Sequence, residues 1–191
     1  MKKYLLLYLF CSFSVAHAST VIDTTAGPSY TKNGWYGSGQ SLTVGNTDTN
    51  LDSFSFYADA TSNGKTFDFL VSNDWSGGSA LFSSSVVVTT DLNTVLINQA
   101  MTAGSVIYAL IDYNGFSGST VQFTNNLYSG GNSAFGPVGA QSQYAGYDLK
   151  FNASFSSPSA VPVPAAVWLF GPALTGLVGM GKRKKAQLAA A

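Results

Sequence analysis

The sequence predicts an all-β protein: an antiparallel β-sandwich, jelly-roll-like in its strand order, with a signal helix before it and a transmembrane helix after it. Apolar residues alternate with a period of two between residues 19 and 155, and no stretch there has the period of a helix. Clusters of Gly, Asn and Ser separate the alternating stretches as turns do. Uncharged apolar segments lie near both ends of the 191-residue chain, beside basic residues.

The first predicted element is a signal peptide over residues 1–18. Two lysines precede an apolar stretch at 4–15, and the small-residue site Ala16-His17-Ala18 follows, so cleavage is expected before Ser19. The expected partners at this step are the Sec translocon and signal peptidase. The alternative is a buried N-terminal helix, which the cleavage site and the short apolar stretch disfavour.

Cleavage at this site would remove Cys11 and His17, which are the only cysteine and histidine of the chain. The rest contains no Glu, and no Arg before Arg183. Disulfides, the usual ligands of zinc, copper and haem, and the general base of Ser-His-Asp or Cys-His catalysis would then be missing. We therefore expect no cofactor, no metal centre of these kinds and no enzymatic activity.

The predicted domain over residues 19–155 consists of seven or eight short strands. Phe54, Phe56 and Ala58 share one face of a half-buried strand, and residues 147–155 alternate more cleanly still, as a closing strand would. The continuously apolar segment 106–111 is expected at the centre of a sheet. The other strands are predicted at residues 40–45, 66–71, 80–90, 106–112 and 119–124.

Charge is segregated along the chain. Six of the nine basic residues lie at the ends, whereas all nine acidic residues are aspartates between Asp23 and Asp148. The middle of the chain therefore has three lysines against nine aspartates, a formal charge of −6. A nucleic-acid partner is not expected, because phosphate binding needs clustered Lys and Arg.

After the domain, residues 156–164 form a Ser/Pro-rich linker in which regular structure should end. Residues 165–181 carry no charge and are at the lower limit of length for a transmembrane helix. The positive-inside rule then places the basic tail, residues 182–191, in the cytoplasm and the domain outside the inner membrane. The basic cluster that would stop translocation is Lys182, Arg183, Lys184 and Lys185.

The end of the chain resembles the VPLPA variant of the PEP-CTERM sorting signals, in which a proline motif, an apolar helix and a basic cluster follow in order. The resemblance implies that an exosortase, a membrane protease or transpeptidase of Gram-negative bacteria, recognises the proline motif and that the tail is removed. Val163 stands where the family usually has Leu or Glu, and Pro172 stands where a small residue is more common. A plain tail anchor without a sorting role is the alternative. The motif residues are Val161, Pro162, Val163, Pro164 and Ala165.

The domain also resembles, more loosely, the ectodomains found ahead of such sorting tails. The resemblance is carried by residues 40–45 (QSLTVG) and 51–56 (LDSFSF). It implies a β fold and a location outside the cell, and it says little about a ligand.

Two groups of residues are candidate ligand sites. Asp48, Asn50 and Asp52 have the D-x-N-x-D spacing of calcium loops, but Ser53 occupies the position of the usual glycine, so an ordinary polar turn is the alternative. Trp35 and Trp75 are candidate glycan contacts, because aromatic rings in Gly/Asn-rich loops can stack on sugars, as Tyr36 and Tyr113 could too. The alternative is that these aromatic residues fill the core.

Together these features predict a protein of the cell surface or extracellular matrix with a structural or adhesive role. It would be held transiently in the inner membrane and processed by an exosortase. A glycan-binding module of the extracellular polysaccharide matrix is the alternative function. A hydrolase that uses aspartates alone is the third, although no spacing singles out an acid and a base.

Overall fold

The structure is a computed structural model that describes residues 19–31, 36–118 and 120–158. These residues belong to one compact unit, which ends at Pro158. Their strands are, in chain order, β1 (Thr20–Asp23), β2 (Tyr30–Thr31), β3 (Gly37–Thr43), β4 (Asn50–Tyr57), β5 (Thr66–Ser72), β6 (Ala80–Val87), β7 (Leu92–Ala100), β8 (Val106–Asp112), β9 (Gln122–Asn125), β10 (Ser133–Phe135), β11 (Ser142–Tyr144), β12 (Tyr147–Leu149) and β13 (Phe151–Ser156).

The strands form antiparallel sheets, so the all-β prediction is confirmed. A six-stranded sheet has the order β11-β10-β3-β8-β5-β6, and a four-stranded sheet has the order β1-β13-β4-β7. A small third sheet has the order β12-β9-β2. Apart from the strands, the described residues contain a single 3₁₀ turn at Ala60–Ser62.

The two large sheets pack face to face around a core rich in phenylalanine. Phe54 of β4 stacks on Phe151 of β13 within the four-stranded sheet, with ring centroids 5.2 Å apart. Across the interface, Phe54 meets Phe69 of β5 at 5.4 Å. Burial of each such side chain stabilises the fold by about 1.5–3 kcal/mol. The described core cluster runs from Leu42 to Phe155, so we expect residues 19–157 to fold on their own.

The alternation of apolar residues in the sequence predicted several strands correctly. Phe54, Phe56 and Ala58 are buried as predicted, and β8 matches the predicted segment 106–112. Strand β8 lies between β3 and β5, so its central position is also confirmed. Apolar side chains at every second position place one face of each strand against the opposite sheet.

The prediction of seven or eight strands is too low, and β7 is the one long strand that it missed. Asn93, Val95 and Ile97 point inward on β7, while Leu92 and Leu96 are exposed, Leu96 by 72%. Because Asn93 lies on the inner face and Leu92 and Leu96 lie on the outer face, β7 does not show a regular alternation of apolar and polar residues. The other additional strands have two to four residues, too few to show any period.

The predicted closing strand over residues 147–155 is interrupted. It is divided between β12, which pairs with β9 in the small sheet, and β13, which pairs with β4 and β1. Lys150 lies between them and donates its backbone N–H to the Gln122 carbonyl over 2.8 Å. The small sheet is thereby joined to the four-stranded sheet.

The two ends of the described domain lie side by side. Strand β1 pairs antiparallel with β13, with Thr20 opposite Phe155. No helix in the part of the chain that the structure describes is long and apolar enough to cross a membrane. The predicted signal helix and transmembrane helix fall outside the described residues.

Candidate functional site

A groove of about 330 Å³ lies on the outer face of the six-stranded sheet, and we call it the Trp75 groove. Ser41 of β3 is paired with Tyr108 of β8, and both side chains point away from the core because their neighbours Leu42 and Ile107 point into it. The groove is lined by Ser41, Trp75, Val106, Tyr108, Ser129, Gly130, Gly131, Asn132 and Gln143.

Trp75 reaches the groove from the hairpin loop between β5 and β6, residues 73–79. Its half-buried indole lies over Gly39, where a Cβ would come within 2.6 Å of the ring atom Cζ3, so this position must be glycine for the ring to sit there. The indole meets the Tyr108 ring edge-on, with centroids 4.7 Å apart. The two aromatic rings therefore form one surface.

Asp74 shapes the loop that carries Trp75. Its Oδ1 atom accepts hydrogen bonds from the hydroxyl of Ser76 and from the backbone N–H of Ser76, the latter over 2.8 Å. These hydrogen bonds lower the pKa of the Asp74 carboxyl below its usual 3.8. The ionised carboxylate therefore maintains a local turn beside the tryptophan.

The opposite side of the groove is formed by the segment between β9 and β10, residues 126–132, which we call the Tyr128 loop. Ser41 Oγ accepts a hydrogen bond from the Asn132 N–H over 2.8 Å, and Thr43 Oγ1 donates to the Gly130 carbonyl over 2.6 Å. The Tyr128 hydroxyl accepts from the Thr43 N–H over 2.9 Å. These bonds hold the loop against β3, so this side of the groove is preformed.

Asp148 holds the start of the same loop. Its Oδ2 atom accepts the N–H groups of Leu127 and Tyr128, each over 2.7 Å, and its Oδ1 atom accepts the Gln40 amide over 3.0 Å. Asp148 alternates with the apolar residues Tyr147 and Leu149, a pattern that predicts an outward side chain, but the structure buries Asp148 fully. Burial raises the pKa of its carboxyl above 3.8, although the three hydrogen bonds oppose the rise.

The chemistry of the groove suits a neutral, polyhydroxylated ligand. Its described lining residues carry no charge, and they place two aromatic rings beside hydroxyl and amide groups that can both donate and accept hydrogen bonds. Gln141 lies next to Trp75 over Gly39, and its buried side-chain amide has no hydrogen-bond partner. An unsatisfied buried amide is costly, and Gln141 lies behind Trp75 rather than among the residues that line the groove.

The structure describes three of the four predicted aromatic residues, and each has a different setting. Trp75 is in the groove, Tyr36 is an exposed residue outside it, and Trp35 lies outside the described residues. Tyr113, which we expected in an exposed loop, is fully buried in the core, where its ring stacks on Phe67 at 4.7 Å.

Trp75 is the one lining residue that sequence reasoning proposed, and Tyr108, Asn132 and Gln143 are among those that it missed. Tyr108 is the one residue with a polar group in the otherwise apolar segment 106–111, and this is a sign of an outward position that the sequence shows. Asn132 and Gln143 reach the groove through strand pairing between distant segments, and no local pattern reveals them.

Two of the predicted calcium ligands, Asp48 and Asp52, accept hydrogen bonds from residues at the ends of the domain. Asp48 accepts hydrogen bonds from the hydroxyls of Thr20 and Ser157, and Asp52 accepts from Ser156 and from the amide of Asn50. No group of three or more His, Cys, Asp or Glu residues that could hold a metal ion occurs among the residues with a described placement. The calcium site stays a prediction from spacing.

Of the predicted processing residues, only Ser19 is described, and it is exposed at the start of the domain. The others lie outside the described residues: Ala16, Ala18, the motif from Val161 to Ala165 and the basic cluster from Lys182 to Lys185.

Comparison with known proteins shows a likeness in fold. No family model matches the chain, and no curated protein matches it. Among solved structures, it is similar to the cysteine protease and lectin-like domains of a surface-layer-associated protein of Clostridium difficile, with a TM-score of 0.51 and 13% sequence identity. The match covers 73% of this chain and 36% of that chain, so this chain spans about a third of its length. At this identity the likeness shows the fold alone.

Proposed function

We propose that this protein is an exported, exosortase-processed component of the bacterial cell surface or extracellular matrix, and that its domain has an adhesive role by binding a neutral glycan in the Trp75 groove. The observation that carries the adhesive part is the pairing of Trp75 and Tyr108 beside the amides of Asn132 and Gln143. Sugars have apolar C–H faces that pack on aromatic rings and hydroxyls that pair with amides.

The uncharged lining favours a glycan over other ligands. A phosphorylated or acidic ligand would need Lys or Arg, and none of the described residues that line the groove is basic. The same lining contains no carboxylate, so the aspartate-only hydrolase has no acid–base pair in this groove. The preformed Tyr128 loop limits the entropy that binding would cost.

The strand order supports the finer jelly-roll-like fold. Setting aside the short β2 and β9–β12, the sheets read β1-β13-β4-β7 and β3-β8-β5-β6. Successive strands then change sheet at every step except the β5–β6 hairpin. Two intertwined Greek keys of this kind form the jelly roll, a topology that recurs in lectin domains. The similar solved structure includes a lectin-like domain of a surface-layer-associated protein, which agrees with the proposal at the level of fold.

The positions of the domain ends support the proposed route of export. Thr20 lies beside Phe155, and the Asp48 carboxylate bonds to both Thr20 and Ser157. A chain with a signal segment before the domain and an apolar segment after it could keep both in one membrane while the domain folds. A domain with distant ends would hinder that arrangement.

Binding of residues 19–157 to soluble neutral polysaccharides, measured by affinity electrophoresis and calorimetry, tests the adhesive role. Trp75→Ala should weaken binding at least ~10-fold, because it removes the stacking surface. Tyr36→Ala, which truncates an exposed aromatic residue outside the groove, should bind as the wild type does. Binding should also persist in EDTA and at high salt, since the described lining has no charge.

Equal binding by wild type and Trp75→Ala would show that the groove is not the site. A failure of every neutral glycan to bind, with acidic polysaccharides binding instead, would contradict the ligand class.

A further inference from the structure

One lateral side of the sandwich has two long edge strands without the usual protection. Strand β6 ends the six-stranded sheet and β7 ends the four-stranded sheet, and no described strand pairs with either on its outer side. Residues 80–100, which contain both, include a single charged residue, Asp91, and no proline. Edge strands in monomeric proteins are ordinarily shortened or carry charges or prolines, because their free N–H and C=O groups can pair with another strand.

The opposite lateral side is protected in the usual way. Its edge strands are β1, with four residues, and β11, with three. Strand β1 also ends in the charged Asp23. The difference between the two sides favours a binding partner on the side formed by β6 and β7.

The sequence of β6 is symmetric about Ser84. If two copies of β6 run antiparallel with Ser84 opposite Ser84, then Phe82 faces Val86 and Ser83 faces Ser85. Apolar residues thus meet apolar residues, and hydroxyls meet hydroxyls. Phe82 and Val86 are partly buried and pack on the core, so their contacts across the dimer axis would extend the hydrophobic core from one copy to the other. Ser83 and Ser85 would remain on the outer face of the sheet.

The register of β6 within its own sheet limits the paired segment. A shift between Val71 and Ser72 leaves Leu81 without a partner across the β5–β6 ladder, so regular pairing begins at Phe82. Beyond the other end of the symmetric segment, Val87 is 66% exposed. Regular pairing with β5 extends from Phe82 to Val87, so the symmetric segment, residues 82–86, lies entirely within the regular part of the strand.

We propose that two copies of this protein associate through β6 of each, with the two-fold axis at Ser84, so that their six-stranded sheets become one continuous sheet. A twofold interface requires a self-complementary surface, and the symmetric segment provides one. Association of this kind stops at the dimer, because each copy uses its β6 edge once. The proposal does not depend on glycan binding, and a dimer would present two Trp75 grooves.

Single-cysteine cross-linking of residues 19–157 tests both the partner and the register. This fragment has no cysteine of its own. Opposed residues in antiparallel strands have Cα atoms about 4.5–5.5 Å apart, within the range of a disulfide, so Ser84→Cys should form a covalent dimer under mild oxidation. Ser83→Cys alone should not, because two copies of residue 83 would be offset by two residues, ~6.8 Å, along the strands. A mixture of Ser83→Cys and Ser85→Cys proteins should cross-link.

Sedimentation of variants without cysteine provides the second test. The wild-type fragment should show a monomer–dimer equilibrium. S83K/S85K puts like charges opposite each other across the axis and should raise the dissociation constant at least ~10-fold with an unchanged circular dichroism spectrum. L96K adds a charge to the exposed edge strand β7 and should leave the dimer intact.

Three results would overturn the proposal. One is a wild-type fragment that stays monomeric at the highest soluble concentration. Another is equal cross-linking of Ser84→Cys and Ser83→Cys, which would indicate random collision. The third is growth of larger assemblies that L96K abolishes, which would assign the contact to β7.

Discussion

At the scale of the residue, Tyr113 shows how one hydroxyl connects the core to its surroundings. Its ring is fully buried, and its hydroxyl accepts the Val121 N–H over 3.1 Å and is hydrogen-bonded to the Ser38 hydroxyl. Burial raises the pKa of the Tyr113 hydroxyl, so it stays neutral at every physiological pH. The side chain thereby satisfies two buried polar groups from distant parts of the chain.

Tyr113→Phe should lower the free energy of unfolding by about 1–3 kcal/mol, because Val121 N–H and the Ser38 hydroxyl lose their partner while the ring packing is kept. Urea unfolding of residues 19–157 measures the change. Tyr36→Phe is the matched control: its ring is exposed, and its effect should stay within about 0.5 kcal/mol. Equal effects of the two substitutions would mean that the Tyr113 hydroxyl is not a structural partner.

At the scale of the element, Asp148 joins strand β12 to the start of the Tyr128 loop and to β3. Its carboxylate accepts three hydrogen bonds, and Gln40 returns the contact through its Oε1 atom, which accepts the Leu149 N–H over 3.0 Å. A buried polar network that is fully bonded specifies one arrangement of its members. This network thus determines where one side of the groove lies.

The pH dependence of stability should reveal Asp148. The pKa of its carboxyl is raised in the folded protein, so the folded state binds the proton more tightly than the unfolded chain does. Its contribution to stability is fully present below pH 3.8 and declines as pH rises through the folded pKa. The free energy of unfolding of the wild type minus that of Asp148→Asn should therefore fall with rising pH, as measured by urea unfolding at several pH values.

Asp23 gives a control of opposite sign. The hydroxyl and backbone N–H of Thr25 lower the pKa of the Asp23 carboxyl, so its contribution is present above pH 3.8 and is lost as pH falls through the folded pKa. The corresponding difference for Asp23→Asn should rise with pH. If the two differences in unfolding free energy changed with pH in the same direction, the effect of burial on the pKa of Asp148 would not exceed that of its hydrogen bonds.

At the scale of the whole molecule, the proposed route of export predicts defined ends. Mass spectrometry of the protein released from the cell surface should find Ser19 at the N-terminus and a C-terminus within residues 161–165. A strain without the exosortase should retain the tail. Recovery of intact peptides from residues 182–191 in the surface fraction of the normal strain would contradict sorting, and a protein that keeps residues 1–18 would contradict signal cleavage.

The sequence alone was enough for the features that depend on neighbouring residues. Alternation is a local property, so β5 and β8 were predicted close to their observed bounds, and the buried face of β4 was predicted correctly. The segregation of charge and the apolar ends are equally local, and the prediction of export derives from them, whereas the prediction of sorting rests on the resemblance of the C-terminal motif to PEP-CTERM signals. The symmetry of β6 is also visible in the sequence, although its position at a sheet edge is not.

Only the tertiary structure decided which distant residues meet. Gln40 and Asp148 are separated by more than a hundred positions, and Trp75 reaches Tyr108 only because a hairpin loop folds over Gly39. The same strand pairing buries Tyr113 and Asp148 and leaves β6 at an edge. The physical reason is that periodicity records which face of a strand is buried, whereas the neighbours of that face depend on the order of the strands in the sheets.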